Sequence, residues 1–313
     1  MIVAAIDIGT NTLLMLVAEI DEDGTIRQLE HQQRLPRLGK DVDRTGAIDV
    51  SAFDRIAWIV KEYKHLAQQL QAEKIVACAT SAVRDASNRD EFRDFLEQST
   101  GIAVEILSGD EEAVLAYRGA LSGIKRAGPF VVVDIGGGST ELIYQQPGGG
   151  NGNAVLHRFS LQIGAVRLTE RYFKHDPPLP AEIESAKSLI TEEVSQIRNP
   201  GFQNLTLVGV AGTVTTLACL DQGLEDFDVE RVAGFTLTEN HVGLWLTRLT
   251  GMTAREISAL SATTSGRADI ITAGTLILHE VMAHFRFPSV VVSERGLRFG
   301  LVLREWERSR KNH

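Results

Sequence analysis

The tripeptide Asp-Ile-Gly occurs at Asp7-Ile8-Gly9 and again 127 positions later at Asp134-Ile135-Gly136, each time closing an apolar run. Residues 2–20 and 130–144 both read as strand, polar turn, strand, with the first turn at Gly9–Thr12. A second echo shares the offset: Val76–Thr80 precedes Ser81-Ala82-Val83, and Val208–Val210 precedes Ala211-Gly212-Thr213-Val214-Thr215. Two echoes at one spacing point to duplication, and so long a period means two related domains rather than stacked small repeats. A length of 313 residues, about two ordinary domains, agrees. The expected division is 1–125 and 126–313, with Gly123–Gly128 as the crossover.

Between the echoes the chain alternates helix and strand. Phe53, Ile56, Ile59, Val60, Tyr63, Ala67 and Leu70 recur at helical spacing across Ser51–Gln71, and Ile75–Ala79 follows as a buried strand. A capped helix is expected at Ser87–Gln98, a strand at Val104–Leu107 and a helix at Gly109–Leu121. The glycine-rich Pro147–Gly152 stretch reads as a turn between strands. After Thr236 the chain is mainly helical, with a strand at Ser289–Ser293 and a closing helix at Leu297–Arg308. The fold class is therefore α/β.

Composition removes several functions. A hydrophobic fraction of 43% with 23% charged residues is that of a globular protein. The net charge of −9 disfavours nonspecific nucleic-acid binding, so an anionic substrate needs local donors or a cation. Cys78 and Cys219 alone build neither a disulfide framework nor a thiolate zinc site. No apolar run reaches the roughly 18 residues needed to span a bilayer, and the start lacks a basic export signal, so the expected location is the cytoplasm, without a membrane partner. P-loop, G-x-G-x-x-G, H-E-x-x-H and G-x-S-x-G patterns are all missing.

Chemistry concentrates in the turns. Asp134-Ile-Gly136-Gly137-Gly138-Ser139-Thr-Glu141 places three glycines after a buried strand, where amides can approach an oxyanion, between carboxylates able to hold a cation. Asp7-Ile-Gly-Thr10-Asn11-Thr12 offers hydroxyl and amide donors in the matching turn. Gly212-Thr213 opens a helix after a strand and forms a further anion seat, and Arg84 in Thr80–Asp85 can neutralise a phosphate. Ser108-Gly-Asp-Glu111-Glu112 reads as a capping run from which one glutamate can turn to activate water.

DIGTNT at 7–12, ATSAVRDA at 79–86, SGDEEA at 108–113, DIGGGSTEL at 134–142, GVAGTVTTLA at 209–218 and ERGLRFGLV at 294–302 together resemble the exopolyphosphatase and guanosine pentaphosphate phosphatase family. Six motifs in order cover nearly the whole chain. The resemblance implies two duplicated ribonuclease-H-like domains of the actin, sugar kinase and heat-shock ATPase superfamily around a central cleft. Glu112 is then the general base and Glu111 the helix-start support. Thr10, Asn11, Thr12, Arg84, Gly136, Gly137, Gly138, Ser139, Gly212 and Thr213 become phosphate contacts, and Arg37 belongs to a basic loop. Asp134, Glu141 and Asp7 become the carboxylates near Mg2+ or Mn2+.

The implied reaction is hydrolysis of terminal phosphoanhydride bonds in polyphosphate or guanosine pentaphosphate. Longer family members carry a further HD-type helical region, so the chain resembles a short form. An ATP-dependent small-molecule kinase and a guanosine tetraphosphate sensor are the competing readings on the same fold. The apolar faces after Thr236 serve either as intradomain core or as a homodimer seam.

Overall fold

The computed structural model describes residues 1–126, 128–146, 155–198 and 201–311. The expected turn at Pro147–Gly152 lies outside them. Two units emerge, Met1–Ser122 with Gly296–His313, and Gly123–Arg295. The chain passes into the second unit at the start of the expected Gly123–Gly128 crossover, of which residue 127 is outside the described residues. It then returns: the closing segment belongs to the first unit, not to the 126–313 half where the linear boundary puts it.

Among the described residues, the first unit holds a sheet of β1 (Ile2–Ile8), β2 (Leu13–Ile20), β3 (Ile26–Arg34), β4 (Lys74–Ala79) and β5 (Val104–Ile106) in the order β3-β2-β1-β4-β5. The first three strands form an antiparallel meander, and β4 and β5 add in parallel. In the second unit β6 (Phe130–Ile135), β7 (Thr140–Gln146) and β8 (Val155–Leu161) repeat the meander. There β9 (Thr206–Val210) and β11 (Ser289–Val292) add in parallel, and β10 (Thr236–Thr238) pairs antiparallel at the edge. Both units thus show the duplicated ribonuclease-H-like arrangement on mixed sheets.

Strand alternation decides what each sheet face carries. On β1, Ala4, Ile6 and Ile8 pack with Phe53, Ile56 and Val60 of the Ser51–Gln69 helix. Val3 and Ala5 turn to the opposite face, against Leu115 of the Gly109–Leu121 helix and Leu301 and Val302 of the Leu297–Lys311 helix. Asp7 is in phase with Val3 and Ala5, so its carboxylate heads for that helical pair. The expected helix near Ser87 begins at Arg89, and its N-cap makes no side-chain capping bond. Instead the Asn88 amide accepts from Ile48 N and donates to Ile48 O, both at 2.9 Å.

The closing helix returns to the first unit because small residues let it. A Cβ on Gly119 would stand 1.9 Å from Gly296 O, and one on Gly300 would stand 2.0 Å from Leu115 O. Backbones this close fix the Leu297–Lys311 helix against the helix that carries Glu112. At the far end, Glu305 is fully buried and pairs with Lys74, Arg304 and Arg308. Gly300→Ala is expected to cost about 2 kcal/mol in urea unfolding, because the new methyl overpacks a backbone crossing. Unchanged stability would mean that the crossing is not the docking constraint.

Candidate functional site

In the first unit three segments converge. The β1–β2 turn closes through Gly9 N donating to Thr12 O at 3.0 Å. Thr10 is buried, and its Oγ1 lies 3.0 Å from Ser81 Oγ, which ties this turn to the turn after β4. Thr80 and Ser81 open a short helix, Ser81–Asp85, that carries Arg84. The Arg84 guanidinium donates to Glu112 Oε2 at 2.7 Å and to Leu107 O at 3.1 Å. Arg84 therefore holds a carboxylate, in addition to any anion it meets.

The two neighbouring glutamates turn to different partners. Glu111 completes a capping box with Ser108, its Oε2 accepting from Ser108 N at 2.9 Å. Glu112, one residue on, points instead toward Arg84 and is close enough to Asp7 for its charge to be felt there.

Asp7 is half-buried. Its Oδ1 is buried without a hydrogen-bond partner, as is Asn11 Nδ2. Burial first, and then the Glu112 charge, push the Asp7 carboxyl up to about 7, against the opposing pull of the Arg298 guanidinium. Arg298, from the closing helix, donates to Met15 O at 3.3 Å and is itself lowered to about 10 by burial. Burial and the Arg298 charge also lower His31 to about 4, so its imidazole is neutral near pH 7. Arg298 lies inside ERGLRFGLV, but no role for it is readable from the motif alone.

In the second unit, Asp134 faces Glu141 across β6 and β7, and Glu141 faces Ser160 across β7 and β8. Directly opposed residues share a face, so the three polar side chains form a row. Glu141 is buried and accepts from Ser160 Oγ at 3.0 Å. The turn Gly136–Ser139 closes like its counterpart, Gly136 N donating to Ser139 O at 3.0 Å.

Gly212 and Thr213 lie in the first turn of the Ala211–Asp221 helix, whose N-cap Val210 makes no side-chain bond. Ala211 before them is held at φ 66, a left-handed conformation that alanine avoids and that candidate sites often retain. A Cβ on Gly212 would fall 1.3 Å from Arg267 Nη1, so the guanidinium lies directly on this glycine. No acidic partner of Arg267 is recorded among the described residues, and burial lowers its affinity for the proton. A cation beside helix-start amides is an arrangement suited to an anion, and sequence reasoning did not find it because Arg267 lies more than fifty residues from Gly212.

The three carboxylates expected near a metal do not make a ready cage: among the described residues no three His, Cys, Asp or Glu side chains are gathered to hold an ion. Oxygen-only donors and the orphaned Asp7 Oδ1 do fit a hard cation that arrives with phosphate oxygens, since magnesium commonly uses one or two carboxylates plus substrate. No described helix is long and apolar enough to cross a membrane.

A carboxyl raised on folding costs stability once the pH exceeds its usual 3.8, and the cost grows until about 7. Asp7→Asn should therefore raise Tm in metal-free buffer by more at pH 8 than at pH 5. A Tm difference independent of pH would contradict the burial of this charge.

The Ppx/GppA phosphatase family pattern matches residues 16–309. Exopolyphosphatase 2 of Mycobacterium tuberculosis is 36% identical over 325 aligned positions, which cover 96% of this chain and 97% of that protein. The crystal structure of the Aquifex aeolicus family member aligns with a TM-score of 0.82 at 32% identity, covering 100% of this chain and 99% of that one. An exopolyphosphatase from Cytophaga hutchinsonii aligns at 0.85 and 27% identity, with 96% of each chain covered. With matches of this extent, the chain belongs to the Ppx/GppA phosphatase family.

Proposed function

We propose that the chain hydrolyses terminal phosphoanhydride bonds of inorganic polyphosphate, releasing orthophosphate, and that Glu112 is the general base. The observation that carries the assignment is the division of labour at the helix start. Glu111 is consumed by the cap, whereas Glu112 is oriented by Arg84 and lies near enough to Asp7 for its charge to act there. Family membership and the exopolyphosphatase names of its relatives support the substrate class. Guanosine pentaphosphate ends in the same kind of bond, and the same residues would act on it. The kinase and the sensor readings are disfavoured by the phosphatase family and by an intact Glu112.

In this mechanism Glu112 accepts a proton from the water that attacks the terminal phosphorus, while Arg84 keeps the carboxylate oriented. Thr10, Asn11 and Thr12 in the first unit donate to phosphoryl oxygens. Gly136–Ser139, Gly212, Thr213 and Arg267 do so in the second. Donors fixed before the reaction stabilise charge on the transferred group without reorganising. The carboxylates that would hold magnesium or manganese are Asp7 in the first unit and, separately, Asp134 and Glu141 in the second. When bound, the ion neutralises phosphate oxygens.

Glu112→Gln should keep phosphate binding and lose about 10²- to 10⁴-fold in turnover, read by orthophosphate release. Near-normal release by that variant would refute the assignment. Arg267→Met should raise KM for tripolyphosphate about tenfold, as expected for one lost charged contact; an unchanged KM would remove Arg267 from the seat.

A further inference from the structure

The Gly136–Ser139 turn is held from behind. Ala165 N donates to Gly136 O at 2.9 Å, and Val166 N and Arg167 N donate to Gly137 O at 2.9 and 3.0 Å. These are amides of the first turn of the Ala165–Tyr172 helix, which has no partners of its own for them. A trans peptide points its C=O and the following N–H in opposite directions. With both carbonyls turned to the helix, the Gly137 and Gly138 amides face away from it. The end of this helix is therefore not an anion seat; its donors are spent on orienting another set of donors.

Two contacts strengthen the arrangement. A Cβ on Gly164, the residue before the helix, would stand 2.4 Å from Gly137 O and 2.5 Å from Gly138 C. Thr140 Oγ1, at the end of the cradle, donates to Ile163 O at 2.7 Å. The first unit has a counterpart built from different local structure. Gly39 N donates to Thr10 O at 2.7 Å and Arg37 N to Asn11 O at 3.1 Å, from a loop rather than a helix. A Cβ on Gly39 would meet Thr10 Cγ2 at 2.2 Å, and Thr10 is the duplicate of Gly137 at the 127-residue offset. The loop of Arg37 thus reaches the turn through its backbone.

We propose that residues Gly164–Arg167 are positioning residues that set the Gly137 and Gly138 amides in their anion-binding orientation, and that Arg37–Gly39 do the same for the Asn11 and Thr12 amides. The inference rests on the phosphate-binding reading of these turns. Freed from its tether, either turn can rotate a carbonyl into the place of an amide, which repels the anion it should receive.

Ala165 allows a clean test. Proline is tolerated at the first position of a helix, and Gly164 before it is extended at φ −141 and ψ 164, as a residue before proline must be. Ala165→Pro removes one N–H and keeps the helix; Ala165→Val has similar bulk and keeps the N–H. Calorimetric binding of tripolyphosphate and of orthophosphate, with Tm and phosphate-release kinetics, is measured on the full chain. Ala165→Pro should weaken tripolyphosphate binding and raise KM about tenfold, with kcat and Tm far less affected, and Ala165→Val should lose much less. Gly164→Ala, acting by steric push on the same peptide, should follow the proline variant. An active wild-type enzyme whose Ala165→Pro and Ala165→Val variants bind equally would overturn the inference alone. A wild-type chain that binds neither anion would overturn it together with the functional reading.

Discussion

One backbone hydrogen bond in each unit organises the rest: Gly9 N to Thr12 O, and Gly136 N to Ser139 O, both 3.0 Å long. Each closes a tight turn at the end of a sheet's first strand. Closing the turn leaves carbonyls that need donors, and a later segment supplies them, a loop in one unit and a helix start in the other. Amides on the other side of those peptides then point away from the donating segment, the orientation that the proposed phosphate contacts need. Side-chain identity matters less than where the peptide planes point, so threonine and asparagine in one turn match glycines in the other.

The charged part of the site follows from strand phase. Asp7 shares the sheet face of Val3 and Ala5, which sends it toward the two helices that carry Glu112 and Arg298. Desolvation outweighs the attraction of Arg298, so this carboxyl keeps its proton until about pH 7 unless something cationic joins it. In the second unit the corresponding phase places Asp134, Glu141 and Ser160 in a row. The duplicate of Glu141 in the first sheet is Leu14, directly opposite Asp7. Duplication preserved the turn while the acidic companions diverged.

The alternation of helix and strand, the two Asp-Ile-Gly turns and the capping role of Glu111 were legible in the sequence because each depends on near neighbours. β3 and β8 were not, for a physical reason. Both are edge strands: β3, Ile26–Arg34, is largely polar, and in β8, Val155–Leu161, His157, Arg158 and Ser160 break up the apolar residues. The return of the closing helix was hidden as well, since it depends on Gly119, Gly296 and Gly300 meeting across long sequence separations. Arg298 and Arg267 were missed likewise, because a cation far along the chain carries no mark of the turn or carboxylate it will face. The capped start expected at Ser87 misled for the opposite reason: the helix begins at Arg89, and the side chain of the residue before it, Asn88, is taken by the backbone of Ile48.

The central claim, that water is delivered to the terminal phosphorus of a phosphate chain, is tested most directly by hydrolysis of polyphosphate in ¹⁸O-labelled water. The account predicts orthophosphate as the released product, each molecule carrying one labelled oxygen, while the shortened chain stays unlabelled. Label in the residual chain, or chain shortening without orthophosphate, would contradict it.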